Sequence, residues 1–361
     1  MQYRRLGRTN LQVSIVSFGA IKLSRISYDE AAEALNRALD VGVNFLDTAR
    51  GYGDSESKIG RAIGHRRDEF HLATKTPARD AAGAMADLET SLAQLAMDYV
   101  DLWQLHSVST RPDWHRVMGP GGAAEAGHQA LRDGKIRHFG ITTHRERSVM
   151  RDALASGVFE TIMVAYSPLD QEGVAAEILP LARQHDLGVI VMKPLSGGQL
   201  VRPDEQRRPG LGGPDAVIAG SLRYSLGHPA VTCVIPGMVS ARQVDENVAV
   251  ADPFLPLTSD EVRELRRQVA AMDRDFRYGQ VCLRCGYCLP CPADINIPEV
   301  LRAMDMKTGY PEGLTHLGDE LYASLPAKPE DCQDCGECEE RCVAGLPVRE
   351  KLRKALEVFG P

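Results

Sequence analysis

Four residues in the first third of the chain carry side chains that together could move a proton to or from a carbonyl oxygen. Asn44 to Gly53 reads N-F-L-D-T-A-R-G-Y-G: a short apolar run ends in Asp47 and Thr48, and the loop that follows sets Tyr52 between two glycines. Alone the stretch is ambiguous, because Asp-Thr after a strand also caps helices and Gly-Tyr-Gly also makes turns. Two further apolar runs end in an ionisable residue, L-A-T-K at Lys75 and L-W-Q-L-H at His106. Singly, each has a plain structural reading as a cap, a solvated lysine or a hydrogen-bonded core histidine; jointly they make a workable acid–base set. A free tyrosine has a pKa near ~10, and a lysine cation beside it stabilises the phenolate and lowers that value. Asp47 would keep Lys75 charged and fixed, and His106 would hydrogen-bond the substrate oxygen or the phenol. Such a set is a proton donor that awaits a hydride.

A second constellation lies near the C-terminus. Cys282, Cys285, Cys288 and Cys291 form C-x2-C-x2-C-x2-C-P with Pro292, and Cys332, Cys335, Cys338 and Cys342 form C-x2-C-x2-C-x3-C followed by Val343. Three thiolates at two-residue gaps with a fourth soon after are the wrapping used for cubane iron-sulfur clusters. Two zinc sites of four cysteines each are the competing reading, although zinc sites more often use separated C-x2-C pairs. Together the two runs resemble the two-cluster bacterial ferredoxin module, in which the fourth cysteine of each run ligates the other cluster. That resemblance implies one [4Fe-4S] cluster on Cys282, Cys285, Cys288 and Cys342, and a second on Cys332, Cys335, Cys338 and Cys291. Glu330, Asp331, Asp334, Glu337, Glu339 and Glu340 surround the second run. They are either a rim that steers a basic electron-transfer protein or a solvated face. Cys233 stands apart in an apolar segment and reads as core.

The elements that must position these groups follow one pattern. After a polar opening with a hairpin pattern (Tyr3 to Leu6, Leu11 to Val13), apolar runs predict strands at 14–21, 43–46, 70–74, 100–105, 136–141, 161–164, 188–192 and 231–235. Helical spacing alternates with them at 28–41, 55–63, 82–95, 122–132, 145–155, 175–185, 215–226 and 241–250. Alternation means parallel neighbours joined by crossovers. Eight units in roughly 250 residues predict a closed (β/α)8 TIM barrel, and no G-x-G-x-x-G follows the first strand to favour an open dinucleotide fold. A further helix is expected at 259–272 with Thr258 as its cap. The composition then turns to Cys, Gly, Pro and acid, which divides the chain into a barrel at 1–275 and a small ferredoxin-like iron-sulfur domain at 276–361 with a helical candidate at 298–306. Two long connections, Ser107 to Gly121 and Gly197 to Gly213, are candidate substrate loops or lids.

Composition excludes several function classes. The chain has 361 residues, 43% of them apolar, and 42 Lys and Arg against 49 Asp and Glu give a formal charge of -7. No basic patch recommends nucleic acid as a partner. No apolar signal region and no long apolar span recommend a membrane, so a cytoplasmic setting is expected, where clustered cysteines bind metal rather than form disulfides.

Residues 1 to 272 resemble the aldo-keto reductase family. Its Asp, Tyr, Lys and His tetrad is matched in order by Asp47, Tyr52, Lys75 and His106, in the local context D-T-A-x-x-Y-G. The resemblance implies hydride transfer from NADP or NAD lying across the barrel mouth, with Tyr52 as general acid. Among the family's cofactor contacts, the Ser-Asn pair after strand five appears as Thr142-Thr143, the strand-six glutamine falls at Met163, and the ring-stacking aromatic falls at Met192. A hydroxyl can still bond an amide, and methionine can still pack on a ring face. The resemblance further implies cofactor contacts at Gly19, Lys193, Pro194, Leu195 and Gly237, and near the adenine at Glu246 and Asn247. The arginine usual for a 2′-phosphate aligns with Gln243, next to Arg242. The whole chain is similar to the ferredoxin-fused branch of the family, which implies a small-molecule carbonyl or alcohol substrate and clusters that relay electrons or hold the tail together. A redox sensor on a reductase scaffold and a lyase or epimerase that recycles bound cofactor are the alternative readings.

Overall fold

In the computed structural model the described residues are all but 145, 170–172, 199, 201–215, 273–281, 283–285, 310–314, 343–344 and 361. Two compact units emerge: Met1–Leu195 with Val201–Leu265, and Ser196–Leu200 with Arg266–Pro361. The domain boundary expected near residue 275 and most of the 197–213 connection lie outside the described residues.

The first unit opens with an antiparallel hairpin, β1 (Tyr3–Arg5) and β2 (Gln12–Ser14), in the register Tyr3↔Ser14. Eight strands then form one sheet: β3 (Phe18–Gly19), β4 (Phe45–Asp47), β5 (His71–Thr76), β6 (Val100–Leu105), β7 (Ile136–Thr143), β8 (Thr161–Ala165), β9 (Gly188–Met192) and β10 (Cys233–Val234). Each is parallel to its neighbour in chain order. Parallel bridges Val16↔Val234 and Gly19↔Gly237 join the last strand to the first and close the barrel. At that seam Gly19 has no room for a side chain, because a Cβ would stand 2.6 Å from the Ile235 carbonyl oxygen. Leu6, Val13, Phe45, Ala73, Leu102, Met163, Ile190, Met192 and Cys233 form one buried cluster that includes both hairpin residues and inward-facing strand residues. A larger cluster, containing Trp103, Phe139 and Phe159, lies between strands and helices. Strands buried on both faces explain why they read as unbroken apolar runs.

Outside the sheet run α1 (Tyr28–Asp40), α2 (Ser55–Ile63), α3 (Ala81–Leu95), α4 (Arg111–Met118), α5 (Ala123–Arg132), α6 (Arg147–Ala155), α7 (Leu179–Gln184), α8 (Ala216–Leu226), α9 (Ala241–Val248) and α10 (Ser259–Met272). Ser27 and Glu30 cap each other's backbone at the start of α1, a reciprocal box of the kind that contributes about 0.5–2 kcal/mol.

Three local expectations change. The strand expected at 14–21 is shared out: Ser14 belongs to the hairpin, Val16 bridges Val234, Phe18–Gly19 pair with β4, and Ala20–Arg25 turn into a 3-10 helix. The 107–121 connection contains α4, started by Thr110, whose side chain accepts from the Asp113 amide, with Pro112 in the first turn and Trp114 and Val117 buried. The helix expected at 175–185 begins as a π-helical turn, Val174–Ile178, before α7. Pro180 has no N–H for Ala176, and the Leu179 amide reaches back five residues to Val174.

The second unit is helical where it is ordered into elements: α11 (Ile297–Gly309), α12 (His316–Ser324), the single turn α13 (Glu337–Glu340) and α14 (Val348–Phe359). α11 packs on both α12 and α14. Its core joins Val300, Leu301 and Met304 to Tyr322, Leu346, Val348, Leu352 and Ala355. Among the described residues no helix is long and apolar enough to cross a membrane.

Candidate active site and cysteine-lined pocket

β4 delivers Asp47 and its neighbour β5 delivers Lys75, both buried. The Lys75 ammonium donates to Asp47 Oδ2 at 2.6 Å and to the Thr48 carbonyl at 2.7 Å, and reaches Tyr52 Oη at 3.4 Å. Those are its three donors. The other Asp47 oxygen accepts from Gln104 Nε2 at 3.2 Å. Gln104 stands opposite Lys75 in the β5–β6 register. Sequence reasoning missed it, since V-D-L-W-Q-L reads as one apolar strand; a lone amide in a run buried on both faces was the available signal.

The loop that carries Tyr52 is pinned to β5 by its backbone. The Thr48 amide donates to the Ala73 carbonyl and the Arg50 amide to the Lys75 carbonyl. Tyr52 then closes a turn through Ala49 O, and Gly53 takes a positive φ of 58° to lead into α2. Behind the loop, fully buried Glu56 accepts from Thr74 Oγ1 at 2.7 Å and pairs with Arg50, which also donates to Gln94 Oε1 at 2.7 Å. His106, buried after β6, meets the Tyr52 ring edge-on with centroids 5.7 Å apart. Arg79 fixes that corner by donating to the carbonyls of His106 and Ser107 at 2.9 and 3.1 Å while it pairs with Asp113 at 3.0 Å.

Burial sets the electrostatics. It pushes the Asp47 carboxyl up and the Lys75 ammonium down, and their mutual attraction opposes both shifts. For His106, burial and then the cations Lys75, Arg79 and Lys193 all act in one direction and hold the imidazole well below its ordinary value. The ring is therefore neutral near pH 7. A neutral imidazole beside a phenol and a lysine can donate its one N–H to a carbonyl oxygen.

The residues expected around a dinucleotide occupy the ends of the adjoining strands. Thr142 is buried and its hydroxyl accepts from the Ser107 amide at 2.7 Å, whereas the buried Thr143 hydroxyl has no partner among the described residues. An orphaned hydroxyl at a strand's end fits a ligand amide that would complete it. Met163 pairs with Thr142 across β7 and β8 and packs in the barrel interior with Met192. Lys193, at a φ of 56°, places Nζ 3.5 Å from the Met192 sulfur; Pro194 is buried and Leu195 half-buried. Gly19 and Gly237 are bridge partners. On α9, Arg242 pairs with Glu246 at 2.9 Å, Gln243 Oε1 accepts from the Val239 amide at 3.0 Å, and Asn247 is buried.

In the second unit one cavity is lined by Cys288, Cys291, Cys332, Cys335 and Cys338, together with Gly336 and Arg349. Sequence positions about forty residues apart thus share a single hollow. Cys282 and Cys342 pack against the apolar core, and the Cys342 sulfur accepts from the Leu346 amide at 3.4 Å. Burial, then Glu339, Cys332 and Cys335, push the Cys338 thiol up. Crowded thiols of this kind suit a cationic iron core that takes them as thiolates. Cys285 and Val343 lie outside the described residues. Among the described residues, no group of three or more His, Cys, Asp or Glu is drawn to the spacing of a single-ion site. Of the six acidic residues around the second run, Asp334 and Glu339 pair with Arg349, and Glu337 pairs with Arg341. The rim is thus partly neutralised by the unit's own arginines.

Comparison with known proteins matches these two regions to two families. Residues 16–217 match the aldo/keto reductase family, and residues 281–347 match the 4Fe-4S dicluster domain. An uncharacterized oxidoreductase of Bacillus subtilis, YqkF, is 28% identical over 304 residues, covering 74% of this chain and 96% of its own. L-galactose dehydrogenase of Arabidopsis thaliana is 27% identical over 294 residues, covering 72% and 91%. Among solved structures, the holo form of an aldo-keto reductase from Bacillus halodurans superposes with a TM-score of 0.61 at 28% identity, covering 74% of this chain and 96% of that one. An aldo-keto reductase from Klebsiella pneumoniae in complex with NADPH gives 0.60 at 25% identity, covering 74% and 94%. With a closed eight-stranded barrel, and with a family match that spans more than half of its length, the chain belongs to the aldo/keto reductase family and carries a C-terminal 4Fe-4S dicluster domain.

Proposed function

We propose that this protein is a nicotinamide-dependent oxidoreductase that interconverts a carbonyl and an alcohol, with Tyr52 as the general acid and base. The observation that carries the reading is the Lys75 ammonium, held by Asp47 and the Thr48 carbonyl with its remaining donor toward Tyr52 Oη. A cation in that position favours the phenolate, so Tyr52 can release a proton to the substrate oxygen and be restored afterwards. Asp47 and Gln104 keep Lys75 aimed, and neutral His106 orients the substrate oxygen without competing for the proton. The bound nicotinamide would supply or accept the hydride.

NADP is the dinucleotide this reading favours. Relatives of similar fold hold NADPH or NADP, and Arg242 at the start of α9 is a cation available to a 2′-phosphate, where it would exchange Glu246 for the phosphate. The Thr143 hydroxyl would meet the carboxamide, while Met163 and Met192 would give the ring an apolar floor. In the C-terminal domain, Cys332, Cys335, Cys338 and Cys291 would hold one [4Fe-4S] cluster, and Cys282, Cys285, Cys288 and Cys342 the other. Support comes from the shared cavity, which gathers Cys288 and Cys291 of the first run with three cysteines of the second; the allocation of Cys291 rather than Cys288 to that cluster follows the ferredoxin pattern. Such clusters, when bound, carry single electrons. An electron-transfer protein is the matching partner class.

Anaerobically purified protein should contain about eight irons and eight sulfides per chain. With a panel of small aldehydes and ketones it should consume one NADPH for each alcohol formed. Zinc in place of iron would remove the cluster reading, and product formation without net NADPH consumption would replace the reductase with a lyase or epimerase.

A further inference from the structure

Arg349 occupies a place in the second unit that neither family match accounts for. It lies in the first turn of α14 and lines the cavity shared by Cys288, Cys291, Cys332, Cys335 and Cys338. Its position is fixed from two sides. One Glu339 carboxylate accepts from the Arg349 backbone amide at 2.9 Å and from Nη2 at 2.8 Å, and Nη1 lies 3.5 Å from both the carbonyl and the carboxylate of Asp334. Gly336, with a φ of 81°, follows Cys335 directly, and a Cβ there would stand 3.8 Å from the guanidinium carbon. The guanidinium thus occupies the space that a side chain between Cys335 and Cys338 would enter. Yet its Nε is buried and has no hydrogen-bond partner among the described residues. A buried donor on a guanidinium whose two terminal nitrogens already contact Asp334 and Glu339, in a cavity walled by thiols, calls for an acceptor supplied by whatever the thiols hold.

We infer that Arg349 donates its Nε–H to a sulfur of the cluster held by Cys332, Cys335, Cys338 and Cys291, and that this contact raises the cluster's reduction potential. The inference rests on the cluster reading given above. Reduction adds one electron, and hence one negative charge, to an already anionic group; no bond to the protein forms or breaks. A donor that points at sulfur stabilises the more negative form, and hydrogen bonds to sulfur are a principal control of cluster potential. Because Glu339 offsets the guanidinium charge from outside, the directional Nε–H rather than the bare charge carries the effect. A charge-assisted hydrogen bond is worth enough to change the reduced-to-oxidised ratio about tenfold at fixed potential, or about 59 mV for one electron.

The test is an EPR-monitored redox titration of the full-length, iron-loaded protein, with iron and sulfide measured on every sample. Arg349→Gln and Arg349→Lys should both lower one midpoint potential, by about the tenfold ratio given above, and leave the other in place, since lysine keeps the charge but lacks Nε–H. Arg353→Gln, which removes a cation paired with Asp334 outside the cavity lining, should leave both midpoints in place. A wild-type potential in Arg349→Lys, or an equal shift in Arg353→Gln, would overturn the inference. Should the variants lose iron, wild-type protein labelled with 15N-arginine decides the matter. A hyperfine coupling from a guanidinium nitrogen in the reduced cluster's pulsed EPR spectrum supports the contact, and its absence refutes it. Wild-type protein without iron would instead overturn the cluster reading itself.

Discussion

At the barrel site every donor of the Lys75 ammonium is already engaged, both Asp47 oxygens accept, and the loop carrying Tyr52 is tied to β5 by backbone hydrogen bonds. In the cysteine pocket five thiols line one cavity beside an Arg349 Nε that has no partner among the described residues. The first site is complete as a fold and needs only a substrate and a dinucleotide at its edge. The second is a set of ligands whose mutual repulsion is relieved by what it binds. The two regions should therefore fail differently. Damage to the barrel site should appear as lost rate and lost stability of an intact unit, and damage to the pocket as lost metal.

The largest effect is expected where the barrel site is broken from within. Lys75→Met strands the Asp47 carboxylate in the interior, which should cost about 3–5 kcal/mol in denaturant unfolding as well as abolish turnover. The double variant Asp47→Asn with Lys75→Met should recover most of that stability and none of the activity. If the single variant were as stable as wild type, the pair would not be the buried ion pair described here. Cys335→Ala tests the other side of the comparison: iron should fall from about eight to about four per chain, with loss of one EPR signal. Loss of zinc instead, or unchanged iron, would remove Cys335 from a cluster.

A smaller effect should appear with pH. His106 has a folded pKa below its unfolded value near ~6.5, so between those values the unfolded chain binds more protons than the native one. Stability should thus rise with pH through that window and level off above about pH 6.5, with a contribution of at most ~1.4 kcal/mol per unit below it. Urea melts between pH 5 and 7 should show this slope, and His106→Gln should flatten it. An unchanged slope would mean that His106 is not the group responsible. The smallest change expected is at Thr143. Removing its orphaned hydroxyl by Thr143→Val should stabilise the apoprotein by about 1 kcal/mol and weaken NADPH binding several-fold, two shifts of opposite sign. Equal NADPH affinity would show that the hydroxyl meets nothing on the cofactor.

Much of this is legible in the sequence. Asp47, Lys75 and His106 each end an apolar run, and parallel strands buried on both faces produce such runs, so the runs located the strand ends and with them these three residues, while Tyr52 was legible only from the loop that follows Asp47. The bounds of β6 and β9 were readable for the same reason, and those of α2 and α10 from helical spacing. What escaped depended on pairing between distant positions or on short polar elements. Gln104 matters only because β6 lies beside β5, and Arg349 only because α14 returns to the second cysteine run. α4 was hidden by its polarity, although Thr110, Pro112 and Asp113 are a serviceable start signal. α14 carried helical spacing at Val348, Leu352 and Ala355, all buried, in a stretch overshadowed by the cysteine run that precedes it.

The most direct test of the account is single-turnover hydride transfer from bound NADPH to a carbonyl substrate in wild type and in Tyr52→Phe, with NADPH affinity measured on the same samples. The account predicts unchanged affinity and a rate lowered by about 10²–10⁴-fold in the variant, the usual contribution of a positioned general acid. Transfer at the wild-type rate without the Tyr52 hydroxyl would contradict it.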